Sequence, residues 1–168
     1  MQRILVAVDF SDITDRVIET AAELAQGLRA KVWLMHCVNQ QAAVGAMGDA
    51  PIILPVPDTS LSERFPVKFR QLNQLAGTLR AKEIETEVLF ASGAVVNEIS
   101  TAIEENRIDL IVVGSHGHGA LYDLVVGSVT KSVLYYTSKP VVIVPCETVK
   151  AATSTSEELW TEPAATPY

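Results

Sequence analysis

Five short, predominantly apolar runs recur along this chain, with amphipathic stretches between them. The first, Ile4-Leu5-Val6-Ala7-Val8, has no polar member to turn toward water, and it stops at Asp9-Phe10-Ser11-Asp12. A short run that is apolar at every position suits a strand covered on both faces, as in a parallel sheet between two helix layers. Lys31 to Val38, Thr86 to Phe90, Asp109 to Val113 and Val141 to Val144 are the other expected strands. Between them the apolar residues return at helical spacing. Ile13, Val17, Ile18, Ala21, Leu24, Ala25 and Leu28 form one stripe, which Ser11 or Asp12 can cap and which Gly27 helps to end. A second helix is expected over roughly Pro66 to Arg80, with the proline in its first turn. A third runs from about Val95 to Glu105, and a fourth from Ser128 to Tyr136. Parallel strands need crossovers of a dozen or more residues, and these helices supply them. The alternation therefore predicts an α/β fold: an open, doubly wound parallel sheet with helices on both faces.

Two segments break the rhythm. Residues 39–60 contain Pro51, Pro55 and Pro57 around Ile52-Ile53-Leu54, which predicts a long loop with a short extended piece. Such a loop is either a functional lid or interface segment, or a plain insertion. Beyond Cys146 the composition shifts to Thr, Ser, Glu, Ala and Pro, so residues 1–146 are expected to form the domain and 147–168 a flexible tail. A chain of 168 residues buries about 70% of its unfolded surface, so it needs no staple. Cys37 and Cys146 are accordingly no disulfide framework, and Cys37 reads as a small buried hydrophobe. The formal net charge of −7 argues against nucleic acid as a partner. It does not exclude a small anion, which a few aligned backbone N–H groups can hold locally. The amino terminus enters a strand without signal-peptide architecture, and no apolar run approaches the ~20 residues of a membrane helix. The expected compartment is the cytoplasm, with no membrane insertion.

In open α/β sheets ligands gather beyond the carboxyl ends of the strands, where strand order reverses. That rule directs attention to Asp9, Val38, Gly93 and Gly114. The fourth of the expected strands runs into Gly114-Ser115-His116-Gly117-His118-Gly119, and Gly127-Ser128 then opens a helix. Glycines admit a ligand close to the backbone, and a helix start offers unpaired N–H groups with the positive end of the dipole. Phosphate needs both, and Ser128 is placed to act as N-cap and phosphate donor. A merely structural glycine turn followed by ordinary capping fits the same residues. The loop is not a P-loop, and the turn at Asp9-Phe10-Ser11-Asp12 lacks the glycines of the dinucleotide fingerprint.

Gly114-x-x-Gly117, nine residues, then Gly127-Ser128 resembles the glycine pattern of universal stress proteins in its ATP-binding subgroup. The opening Ile4 to Ser11 and the closing Ser138-Lys139-Pro140-Val141-Val142-Ile143-Val144-Pro145 are similar to that family as well, and the likeness spans Met1 to about Pro145. It implies a Rossmann-like, five-stranded parallel sheet of order 3-2-1-4-5 and an ATP-binding stress-response protein. It also implies roles for single residues. Asp9 would lie beside adenine and ribose, and the backbone of Val38 would read the adenine edge. Gly114 would pack on the ribose. Gly117, Gly127, Ser128 and the N–H of Val129 would cradle the phosphates. Apart from the resemblance, a carboxylate such as Asp9 near a triphosphate could help hold Mg²⁺ through water. A homodimer through the last strand is implied too, and that strand's place at a sheet edge supports it independently.

His116 and His118 lie inside the loop and are either phosphate donors or magnesium-linked groups, or else exposed loop residues. A transition-metal site built from His36, His116 and His118 has little support from spacing. The loop has no lysine, and there is no arginine clamp or nucleophile elbow, which favours binding over turnover. Three readings stay open at this level. One is a module whose ATP occupancy changes what a regulated protein partner binds. The second is a slow ATP hydrolase or nucleotidyl transferase, and the third is a nucleotide-free scaffold.

Overall fold

Strand and helix alternate as the apolar runs predict. The computed structural model describes residues 1–38, 60–115 and 127–146, together with the backbone of 44–47 and 50–53. In chain order the elements are β1 (Arg3–Ala7), α1 (Thr14–Leu28), β2 (Lys31–Val38), β3 (Val44–Met47), β4 (Ala50–Ile53), α2 (Leu61–Arg64), α3 (Pro66–Ala81), β5 (Thr86–Ser92), α4 (Val95–Glu105), β6 (Leu110–Gly114), α5 (Ser128–Tyr136) and β7 (Val141–Val144). Five strands form one parallel sheet in the order β5-β2-β1-β6-β7. Setting aside β3 and β4, this is the expected order 3-2-1-4-5. The chain winds outward from β1 through β2 to β5, then returns to the other side of β1 for β6 and β7. The reversal lies between β1 and β6, where Ala7 stands opposite Val113.

Successive side chains of a strand point to opposite faces, so each central strand feeds two cores. Ile4, Val6, Val32 and Leu34 pack with Val17, Ala21 and Ala25 of α1 and with Leu72, Ala76 and Leu79 of α3. Leu5, Trp33, Met35, Ile111 and Val113 pack on the other face with Ile99 and Ala102 of α4 and Val133 of α5. Ile4, Leu5, Val6 and Leu34 are fully buried, which is why the runs that contain them carry no polar interruption.

Some boundaries differ from expectation for local reasons. Neither Ser11 nor Asp12 caps α1; Ile13 holds that position without a side-chain bond. Helix α1 continues through Gly27, and Arg29 takes the left-handed conformation that closes it, its N–H meeting the carbonyls of Ala25 and Gln26. The expected loop at 39–60 contains an antiparallel pair, β3 with β4, in which Ala46 stands opposite Pro51. Both strands of a two-stranded sheet are edges, where a proline is tolerated. Helix α2 follows with a full capping box: Glu63 N–H donates to Ser60 Oγ at 3.3 Å, and Ser60 N–H donates to Glu63 Oε2 at 3.0 Å. The expected flexible tail, 147–168, lies outside the described residues.

Candidate functional site

The carboxyl ends of β2, β1 and β6 are adjacent, and three structures converge on them: the turn after β1, the end of β2, and the start of α5. At the first, Val8 extends the line of β1 by donating its N–H to Met35 O at 2.9 Å. Asp9 follows, exposed, with its carboxylate accepting from Ser11 N–H at 3.0 Å and from the Ser11 hydroxyl. Ser11 stands two residues before the cap position held by Ile13 and contributes its carbonyl instead, which accepts from Thr14 N–H at 2.9 Å. Between Asp9 and Ser11, Phe10 has φ 62°, a left-handed conformation that costs an L-residue about 1–2 kcal/mol. Its ring lies 4.4 Å from the imidazole of His36.

His36 is 4% exposed. Its Nδ1 lies 2.8 Å from the Val8 carbonyl oxygen. A carbonyl can only accept, so Nδ1 carries the proton. Nε2 is buried and has no hydrogen-bond partner among the described residues. Burial pushes the imidazole pKa below its ordinary value, and Lys68 pushes it the same way, while the Val8 bond and Asp9 act against them. The ring is therefore neutral, held between Phe10 and Phe90, whose ring centroid is 6.0 Å away.

Val38 ends β2 and is buried. Its carbonyl accepts from Gly93 N–H at 3.2 Å and, weakly, from the Cys37 thiol at 3.9 Å. Gly93 has φ 149°, a backbone conformation that side chains rarely adopt, so this position favours glycine. Cys37 is half-buried, and burial raises its pKa first, with Glu98 adding to the effect. It is a thiol near neutral pH and a poor nucleophile.

At the third, four hydrogen bonds pin α5 and the end of β7 to the end of β6. Thr130 Oγ1 donates to Gly114 O at 2.8 Å, and Gly127 N–H donates to Ser115 O at 2.7 Å. Ser115 N–H reaches Val144 O at 2.8 Å, and Cys146 N–H reaches Ser115 Oγ at 3.3 Å. Gly127 is the N-cap, in place of the expected Ser128, which is the first helical residue. The first bond of the helix runs from Lys131 N–H to Gly127 O at 2.9 Å, so the N–H groups of Ser128, Val129 and Thr130 have no partner within the helix. Ser128 and Val129 are exposed. Unpaired donors at the positive end of a helix suit an anion.

The structure thus gathers Asp9, Val38, Gly114, Gly127, Ser128 and Val129 at one end of the sheet. His116 and Gly117 lie outside the described residues, as does His118. Among the described residues no group of three metal-ligating side chains occurs. Sequence reading missed Thr130, which is 3% exposed, and the supporting pair Phe10 and His36. Thr130 carries a faint signal, a hydroxyl one turn before Val133 on the buried stripe of α5. A cavity of about 560 Å³ opens at the opposite, amino end, between Arg3, Lys31, Trp33, Glu85 and Arg107. Among the described residues no helix is long and apolar enough to cross a membrane.

Comparison with known proteins bears on the family and the fold. The model of the universal stress protein family matches residues 1–145. Universal stress protein YxiE of Bacillus subtilis is 32% identical over 146 residues, covering 84% of this chain and 97% of that protein. Among solved structures, the universal stress protein from Archaeoglobus fulgidus in complex with dAMP aligns with a TM-score of 0.61 at 23% identity, covering 86% of this chain and 98% of the other. A universal stress protein in complex with cAMP aligns with a TM-score of 0.59 at 22% identity, covering 86% and 96%. These structural likenesses concern the fold.

Proposed function

The chain belongs to the universal stress protein family, and we propose that it is a cytoplasmic, ATP-binding regulatory protein of the stress response whose nucleotide occupancy modulates a protein partner. The observation that carries the proposal is the α5 start. The amides of Ser128 and Val129 are unpaired within the helix, exposed, and fixed against the end of β6 by Thr130 and Gly127. A helix start alone is ordinary. This one stands at the strand reversal, where ligands of doubly wound sheets collect, and it closes the motif Gly114-x-x-Gly117, nine residues, Gly127-Ser128. Relatives solved with cAMP and dAMP support an adenine nucleotide as the ligand class.

In this reading adenine and ribose lie over the β1–β2 ends, between Asp9 and the Val38 backbone, with Gly114 against the ribose. Gly117, Gly127, Ser128 and the Val129 N–H take the phosphates, and His116 adds a donor. The donor set fits such a ligand: neutral N–H groups and a hydroxyl hold phosphate oxygens without a lysine. Mg²⁺, where it accompanies the triphosphate, neutralises phosphate charge. Binding rather than turnover follows, because no cation is concentrated in the loop sequence to stabilise a transferring phosphoryl group. Residues 1–146 form the nucleotide-binding domain and 147–168 a tail outside it. The position of β7 at the sheet edge supports homodimerisation through that strand.

Calorimetry with ATP and Mg²⁺ tests the reading. Wild type binds with a micromolar dissociation constant, and Gly114→Ala/Gly127→Ala loses at least about a hundredfold in affinity, near 2.7 kcal/mol. A folded wild type that binds no ATP would move the case to a nucleotide-free scaffold. Sustained ADP release at stoichiometric enzyme would move it to a slow hydrolase.

A further inference from the structure

We propose that His36 is a positioning residue of the β1–α1 turn: its Nδ1–H holds the Val8 carbonyl, its ring seats Phe10, and the turn presents Asp9 only while that ring is neutral. The inference rests on the nucleotide reading above for its functional consequence, but not for its structural content. Three independent observations carry it. Phe10 is held at φ 62°, a conformation that needs something to hold it, and its ring lies 4.4 Å from the imidazole. Val8, two residues earlier, receives the Nδ1–H at 2.8 Å. A single side chain from the neighbouring strand therefore grips the turn on both sides of Asp9. Finally, Nε2 is buried without a partner among the described residues, in a setting built from Phe10, Phe90 and, beyond it, Phe69.

A neutral ring fits this setting and a charged one does not. Protonation at Nε2 would place a donor and a positive charge where no described residue accepts either. The charged groups that act on the ring are Lys68 from α3, which opposes protonation, and Asp9 from the turn, which favours it; β5 presents Phe90. Burial is the largest influence, and it keeps the ring neutral below the ordinary imidazole range. Acid that does protonate the ring does so by opening the site. The opening frees the Val8 carbonyl, unseats Phe10 and lets the strained turn relax, so Asp9 leaves its place at the strand reversal.

The test uses the full chain with and without ATP. His36→Asn keeps a donor near the Nδ1 position and removes the titrating group. Amide exchange at Val8 and Thr14, corrected for intrinsic rates, is followed from about pH 7.5 to about pH 5.5 in both proteins. The expected result is that wild type loses more protection than His36→Asn, by up to about tenfold, the linkage limit for an ordinary imidazole one unit below its pKa. Imidazole nitrogen resonances of the wild type give a reading that needs no variant: a neutral Nδ1–H tautomer is expected to persist below the ordinary imidazole pKa of about 6.5. An Nε2–H tautomer, ordinary titration near pH 6.5, or equal loss of protection in both proteins would overturn the proposal. ATP affinity is measured over the same range, with His36→Asn correcting for protonation of ATP and of the other histidines. Affinity that falls only in wild type supports the positioning role, and affinity that ignores a titrating turn overturns it. Absence of ATP binding at every pH would instead refute the nucleotide reading and leave the exchange result standing.

Discussion

The two ends of the sheet are built from the same strands and are finished in opposite ways. At the amino end charges and backbone groups are matched. Lys31 pairs with Glu85 at 2.6 Å and with Glu87 at 2.8 Å, and its ammonium lies 4.9 Å over the Trp33 ring. Arg3 N–H donates to Asp109 Oδ2 at 3.0 Å. The left-handed residues at that end, Arg29, Glu83 and Arg107, each follow a helix and return an N–H to its last turn, the ordinary way to close one. At the carboxyl end Phe10 takes the same conformation after a strand, with no helix to close. His36 Nε2 has no partner among the described residues, and α5 presents amides without helical acceptors. Unpaired donors and backbone strain cost stability, and here they collect at the end where the topology reverses. In the reading proposed above, the unmatched end is the one that gains by binding, and the cavity at the amino end lies away from it.

Three perturbations sharpen the contrast. The largest effect is expected for Thr130→Val, an isosteric change that removes the hydroxyl from Gly114 O. Leaving that carbonyl without its partner costs about 1–3 kcal/mol in urea unfolding, and calorimetry should show weaker ATP binding, because the α5 amides lose their fixed position. Unchanged stability and affinity would mean that Thr130 does not anchor the helix.

Acid has the next largest effect. Burial lowers the folded-state pKa of His36 below the ordinary value of 6.5, so the unfolded chain takes up the proton more readily. Stability is therefore full above about pH 6.5 and falls as the pH drops through that value toward the folded-state pKa. Urea midpoints measured from pH 8 to pH 5 should decline on the acid side in wild type and much less in His36→Asn. A midpoint that is level in wild type would contradict the buried neutral ring.

The smallest effect is expected at the matched end. Glu85→Gln with Glu87→Gln removes the ion pairs of an exposed network, and such pairs contribute little. Thermal unfolding should shift only slightly and ATP affinity not at all. A clear loss of ATP affinity would break the division of labour between the two ends.

Much of the fold is legible in the chain because its signals are local. The apolar run Lys31 to Val38 and the helical stripe Val95 to Glu105 have the observed bounds, and so do Ser128 to Tyr136 and Val141 to Val144. The strand order was legible through resemblance; the apolar runs alone support parallel strands without ordering them. The hairpin of β3 and β4 was obscured by Pro51, whose presence argues against a strand unless both partners are edges. Helix α2 was legible in principle, since Ser60-Leu61-Ser62-Glu63 spells a capping box. At the site, Asp9, Val38 and Gly114 could be named from strand ends alone. The shift of the α1 cap from Ser11 or Asp12 to Ile13 could not, because Ile13 makes no side-chain cap bond that a sequence pattern would signal. The grip of His36 on Val8 and Phe10 joins residues far apart in sequence, and nothing in the local pattern distinguishes that histidine from its apolar neighbours.

The most direct test of a nucleotide site at the carboxyl end is an amide nitrogen–proton correlation map of the labelled protein, titrated with ATP and Mg²⁺. The amides of Asp9, Val38, Ser115, Ser128 and Val129 should shift together and saturate on one binding curve, while those of Lys31, Glu85 and Arg107 stay in place. Shifts confined to the amino end, or none at millimolar ATP, would contradict it.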